Sequence, residues 1–98
     1  MSARILDQAI RQLSQAGASM RCAELTRLLE ALGFEVRDGG RGGHKVFVHD
    51  HLATFHSGSY NCEHGRNPEI KRPYIKKVLR ILRQYEAELR DHLESKND

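Results

Sequence analysis

Between residues 34 and 49 the hydrophobic period of the chain becomes two, and glycine then breaks it. "FEVRD" sets Phe34 and Val36 against Glu35 and Arg37, and "HKVFVHD" resumes an apolar, β-branched run after "GGRGG", residues 39–43. Alternation at every second position marks a half-buried strand. The stretch therefore reads as two strands joined by a long glycine-rich hairpin connection. "LATFH", residues 52–56, is expected to be a third strand after a tight turn near Asp50–His51. Residues 57–68, rich in Gly, Asn and Ser, are expected to be loop.

Helical stripes flank this region. Leu6, Ile10 and Leu13, widened by Ile5 and Ala9, predict a helix over 3–16 that stops at Gly17. Leu25, Leu28, Leu29 and Leu32 predict a second over about 21–32, ended by Gly33, with Ser19 as a candidate N-cap. Pro73 suits the first turn of a third. Its stripe Ile75, Val78, Leu79, Leu82, Tyr85, Leu89 and Leu93 runs nearly to the end of the chain. At about 1.5 Å per residue that single helix would be roughly 30 Å long. It would overshoot a three-stranded sheet, and the N-terminal helix is the expected cover. The order α-α-β-β-β-α predicts an α+β fold, with helices on one face of a three-stranded antiparallel sheet. Its α-β-β-β-α core is also the order of double-stranded-RNA-binding domains (dsRBDs).

With 98 residues, a second independent core is not expected, so 1–98 reads as one domain. No apolar run approaches the roughly 20 residues of a membrane span, so no membrane role is expected. The start "MSARILDQAIRQL" has an acid at Asp7 and no continuous apolar stretch, unlike a signal peptide. Cys22 and Cys62 form no C-x-x-C. They are expected to be free thiols in a reducing cytoplasm, with a single disulfide as the lesser alternative. Net charge is only +3, yet Lys71, Arg72, Lys76, Lys77, Arg80 and Arg83 form an acid-free basic block, whereas acids dominate from Glu86 onward. Such a block can attract a polyanion. A solvated helix face is the plainer reading.

Five of the six histidines fall between residues 44 and 64, and three readings compete for them. In the first, His44 is a general base. Imidazole exchanges protons near neutral pH, and RNA carries its own nucleophile in the 2′-hydroxyl. Removing that proton needs neither a metal nor a bound water. Arg41 and Lys45, with the backbone N–H groups of Gly42 and Gly43, would meet the charge on the phosphoryl oxygens. In the second, His49, His51, Cys62 and His64, with His56 nearby, bind zinc. Their spacing fits no standard zinc pattern, so no metal and no cofactor is expected. In the third, His44 and His49 are polar strand residues without chemistry.

The quoted residues resemble a known family. "ELTRLLEALGFEV" followed by "GGRGGHKVFVH" is similar to the HicA (YcfA-like) mRNA interferase toxins of type II toxin-antitoxin systems. In that family a helix ends in Leu-Gly-Phe. A strand, a glycine-rich basic loop ending in Gly-(small)-His, and an aromatic and a second histidine follow. The matching residues are Leu32, Gly33, Phe34, Gly42, Gly43, His44, Phe47 and His49. "NPEIKRPYIKKVLRILRQYE" resembles the C-terminal helix of a longer subgroup, so the similarity spans roughly residues 21–86. Residues 3–16 are an added helix, and 87–98 are the end of the last helix and an acidic tail. This chain has Gly43 where many members have serine, and more residues before the last helix. The resemblance implies a dsRBD-like fold, RNA cleavage through His44, mRNA as substrate and a HicB-type antitoxin as partner. Self-association is left open.

The remaining residues are weighed beside this. His49 is expected to be structural, with an assisting role as the alternative. Lys71, Arg72, Lys76 and Lys77 are the expected phosphate contacts beside Arg41, Gly42, Gly43 and Lys45. Tyr60 and Tyr74 are candidates for stacking on bases, with Tyr74 equally a core residue. Phe34, Phe47 and Phe55 are expected in the core. The expected function is thus a cytoplasmic, metal-independent endoribonuclease with His44 as general base. The alternatives are a non-catalytic RNA-binding or regulatory module on the same scaffold and a zinc-binding interaction domain.

Overall fold

A computed structural model describes residues 3–95. The apolar stripes form helices where they were expected at the N-terminal end: α1 is Ala3–Gln15 and α2 is Cys22–Ala31. Gly17 and Gly33 stop them with φ of 72° and 96°, a conformation that glycine adopts without steric cost. Arg21 rather than Ser19 is the N-cap of α2. Ser19 instead opens a short strand, β1 (Ser19–Arg21).

Strands β2 (Glu35–Asp38), β3 (His44–Val48) and β4 (Gly58–Asn61) form a three-stranded antiparallel sheet in that order. The third strand is not the expected "LATFH". Leu52 and Phe55 do face the core, but through a turn in which the Phe55 N–H donates to the Leu52 carbonyl at 3.2 Å. β4 lies within the expected loop and buries only Gly58 and Tyr60. Gly58 is opposite Phe47 in the ladder, and a Cβ there would be 2.3 Å from the Phe47 ring. The ring fills the space a side chain would need. A second, two-stranded sheet pairs β1 with β5 (Glu69–Lys71), so of the expected loop 57–68 only residues 62–68 connect two strands.

The expected single C-terminal helix is two, α3 (Arg72–Gln84) and α4 (Glu86–Ser95). Tyr85 makes the break, with its hydroxyl donating to the Thr54 carbonyl at 3.2 Å and its ring edge against Phe55. The charges agree with a junction there: Arg83 lies in the last turn of α3, and Glu86 and Glu88 in the first turn of α4. α1 packs on both α3 and α4. Leu6, Ala9 and Leu13 of α1 share one buried cluster with Val78, Leu82, Leu89 and Leu93. Phe47 and Tyr60 of the sheet and Leu25 and Leu29 of α2 extend that cluster. Phe34, Phe47 and Phe55 pack edge-on or stacked, with ring centroids 5.4–5.8 Å apart. The described residues form an α+β globule of four helices, a three-stranded antiparallel sheet and a two-stranded one. Among the described residues no helix is long and apolar enough to cross a membrane. Residues 96–98 of the acidic tail lie outside the described residues.

Cys22 and Cys62 are joined as a disulfide with Cα atoms 5.6 Å apart, which corrects the expectation of free thiols. The start of α2 and the residue after β4 meet only in the folded chain. Sequence spacing does not reveal such a pairing.

Candidate active site

His44 opens β3 and pairs with Asn61 at the end of β4. Side chains opposite each other in an antiparallel ladder leave the sheet on the same face. Their polar ends meet there: His44 Nδ1 is 2.9 Å from Asn61 Oδ1. The Asn61 amide in turn donates to the Tyr74 hydroxyl at 2.8 Å. Three residues along α3, the Lys77 ammonium donates to the Ser59 hydroxyl at 3.4 Å. Residues i and i+3 of a helix share one face, as do i and i+2 of a strand, so Tyr74 and Lys77 match Asn61 and Ser59 in order. An imidazole, an amide, a phenol and an ammonium therefore line up along the β4–α3 seam.

The glycine loop shapes the space beside His44. The His44 N–H donates to the Arg41 carbonyl at 2.9 Å, and the Gly39 N–H to the His44 carbonyl at 2.8 Å. The loop thus closes tightly on the strand, with Gly40 at φ 97° and Gly42 at φ 46°. A Cβ on Gly39 would be 2.0 Å from His44 Cδ2 and 3.0 Å from Nε2. Gly39 therefore lets the ring pack against its backbone, where any side chain would collide with the Cδ2–Nε2 edge. An open depression lies at this edge, lined by Gly39, Arg41, Gly42, Gly43, His44, Asn61, Cys62 and His64.

The expected site residues divide. His44, Arg41, Gly42 and Gly43 share this depression. Lys77 joins them along the seam, and Lys76 and Arg72 are exposed on α3. Lys45 shares Gly42 and Gly43 but does not join His44 and Arg41. Neighbouring strand residues face opposite sides, so Lys45 lines a different depression with Thr26 and Glu30, and its ammonium holds Asp38 at 2.5 Å. That contact keeps the Asp38 carboxyl below the usual carboxylate range. Lys71 lies on β5 and pairs with Glu63 at 3.3 Å. Tyr60 is fully buried, its hydroxyl sharing a 2.7 Å hydrogen bond with Thr26, and cannot stack on a base. Burial pushes its phenol pKa up, partly offset by the Thr26 bond.

His49 is buried and structural in its contacts. Its Nε2–H donates to the Leu32 carbonyl at 3.0 Å, and its Nδ1 accepts the His51 N–H at 3.1 Å. Cys62 spends its sulfur on Cys22. These commitments divide the set His49, His51, Cys62 and His64 that zinc would need. Among the described residues no group of three or more His, Cys, Asp or Glu is placed to hold a metal ion. Sequence reasoning missed Asn61, and it offered Tyr74 only as a stacking or core residue. Had "GSYN" been read as a strand antiparallel to "HKVFV", Asn61 would have followed from the register.

No protein-family model matches this sequence, and neither does any curated protein or solved structure at the level of significance required.

Proposed function

We propose that the protein is a small endoribonuclease of HicA type, acting on mRNA with His44 as general base. The observation that carries this reading is the imidazole at the mouth of the glycine loop. The half-buried ring lines the open depression with Arg41 and the Gly42 and Gly43 backbone, and Lys77 lies along the same seam. The run α2-β2-β3-β4, followed by α3 after the short β5 of the other sheet, supports a dsRBD-like core beneath it.

In this mechanism His44 Nε2 takes the proton of a ribose 2′-hydroxyl. The 2′-oxygen bonds to the adjacent phosphorus as the P–O5′ bond breaks. The departing 5′-oxygen takes a proton from solvent, and the imidazolium later returns its own proton to water. Arg41, Lys77 and the loop N–H groups stabilise the charge that builds on the phosphoryl oxygens. The products are a 2′,3′-cyclic phosphate and a 5′-hydroxyl, and no cofactor takes part. The expected protein partner is a small HicB-type antitoxin.

The exposed Arg72, Lys76 and Arg80 on α3 favour one other reading, a module that binds RNA without cutting it. A single comparison separates the two. His44→Ala should lose at least about 100-fold in cleavage, the usual scale of a lost acid–base group, while remaining folded and still binding RNA. A 2′-deoxy substitution at the scissile position should also block the wild type. Full cleavage by His44→Ala, or cutting of the deoxy substrate, would eliminate the mechanism and favour the binding module.

A further inference from the structure

We propose that Asn61 is the positioning residue of His44, fixing its tautomer, and that Tyr74 holds Asn61 in turn. This rests on the reading of His44 as general base. A carboxamide offers one acceptor and one donor group. The structure sets the Asn61 amide nitrogen against the Tyr74 oxygen at 2.8 Å and Oδ1 against His44 Nδ1 at 2.9 Å. Nδ1 must then carry the proton. In a neutral imidazole the lone pair falls to Nε2, on the ring edge beside Gly39, and both residues line the depression.

Three features fix this geometry independently. The ladder sets His44 and Asn61 opposite each other. The Cys62 N–H, next in the chain, donates to the Gly43 carbonyl at 2.8 Å and closes the end of the ladder. The Cys22–Cys62 disulfide ties that end to α2. When His44 accepts a proton, Nδ1–H stays bonded to Oδ1 and the ring need not turn. An amide does this without adding a negative charge. A carboxylate in its place would orient the ring equally but strongly favour the imidazolium.

The test uses the full chain, labelled with 15N. Long-range proton–nitrogen NMR reads the His44 tautomer and its titration, and cleavage of a single-stranded RNA is followed against pH. The wild type should show the Nδ1–H form. Asn61→Ala should move His44 toward Nε2–H and lower kcat by about 10–100-fold, with KM changed by less than about two-fold. Asn61→Asp should restore Nδ1–H and raise the His44 titration midpoint by at least about one pH unit. The acidic limb of the cleavage profile should move with it. Tyr74→Phe should give a mixture of tautomers, since it frees the amide to turn. Asn61 is exposed, so these variants should fold. An unchanged tautomer and midpoint in both Asn61 variants would overturn the proposal even if cleavage still depended on His44. The stated tautomer shifts in a protein that never cuts RNA would support the positioning and overturn the nuclease reading instead.

Discussion

Gly43 packs so closely on Cys62 that a Cβ at residue 43 would lie 1.8 Å from the Cys62 carbonyl oxygen. The obstacle is backbone, and it is bonded in place: the Cys62 N–H donates to the Gly43 carbonyl at 2.8 Å, and its sulfur is bound to Cys22. A serine at residue 43 does not fit without moving the end of β4. Gly43→Ser should therefore cost about 1–3 kcal/mol, as overpacking does. In a domain of this size that is a fall in Tm of at least about 5 °C. A thermal melt coincident with the wild type would show that β4 yields easily.

Gly39 should behave differently, because its obstacle is a side chain. A Cβ there meets the His44 ring, which can rotate away, and the position is exposed. Gly39→Ala should leave Tm within about 3 °C, consistent with a surface substitution that costs about 0.5 kcal/mol or less. It should lower RNA cleavage by about ten-fold or more, because the methyl group displaces the ring and covers Nε2. Paired melts and cleavage rates separate the two glycines. Equal losses of stability would remove the distinction.

How much of this was legible follows from what each residue contributes to a pattern. α1, α2, β2 and β3 carry three or more periodic apolar positions or a clean alternation, and the sequence states them. β4 was hidden because its inward residues are Gly58 and Tyr60. One has no side chain to count, and the other lies among polar neighbours. β1 and β5 bury a single residue each, Met20 and Ile70, too few for a period. The break at Tyr85 lay in the charge switch from Arg83 to Glu86, inside an unbroken apolar stripe. His44 and its loop were visible as a motif. Asn61, Tyr74 and the cysteine pairing required the register of β4 against β3 and the docking of α3, which one-dimensional spacing does not contain.

The disulfide closes a loop with a sequence separation of 40. Constraining the unfolded chain over that length is worth about 4 kcal/mol on the chain-entropy account. The double variant Cys22→Ala, Cys62→Ala should lose stability on that scale in urea unfolding, and reductant should lower the wild-type midpoint likewise. Thiol titration of the untreated chain should find no reactive sulfhydryl. Two titratable thiols, or a midpoint indifferent to reductant, would contradict the bond.

Acid should weaken the fold through its carboxylates. The Arg90 guanidinium donates to Asp7 at 2.9 Å, linking α4 to α1, and holds the Asp7 carboxyl below its usual range. Arg37 does the same to Glu35, and Lys45 to Asp38. A carboxyl whose folded pKa is depressed adds stability above its unfolded value, near 4. That stability is lost as pH falls through the lower folded value. Tm should therefore drop below about pH 4. These groups are exposed, so added salt should blunt the drop. Asp7→Asn should shrink the acid-dependent part, and a salt-independent drop of full size would point to a buried group instead.

The basic face of α3 should be read by salt rather than by sequence. Lys77 reaches Ser59 on the His44 side of the sheet, and the exposed Lys76 makes no side-chain hydrogen bond or ion pair among the described residues. Lys71 is held by Glu63, so a phosphate would have to compete for it. Lys77→Gln should weaken binding of single-stranded RNA alike for all sequences. It should also reduce the slope of log affinity against log salt by about 0.7, the value for one phosphate contact on a single strand. Lys76→Gln should do the same, and Lys71→Gln should change the slope less than either. Because Lys77 lies on the seam with His44, its replacement should also slow cleavage at saturating RNA, whereas Lys76→Gln should affect affinity alone. A salt slope unmoved by both α3 variants would assign this face to solvent or to a protein partner. The phosphate contacts would then have to come from the glycine loop and Arg41.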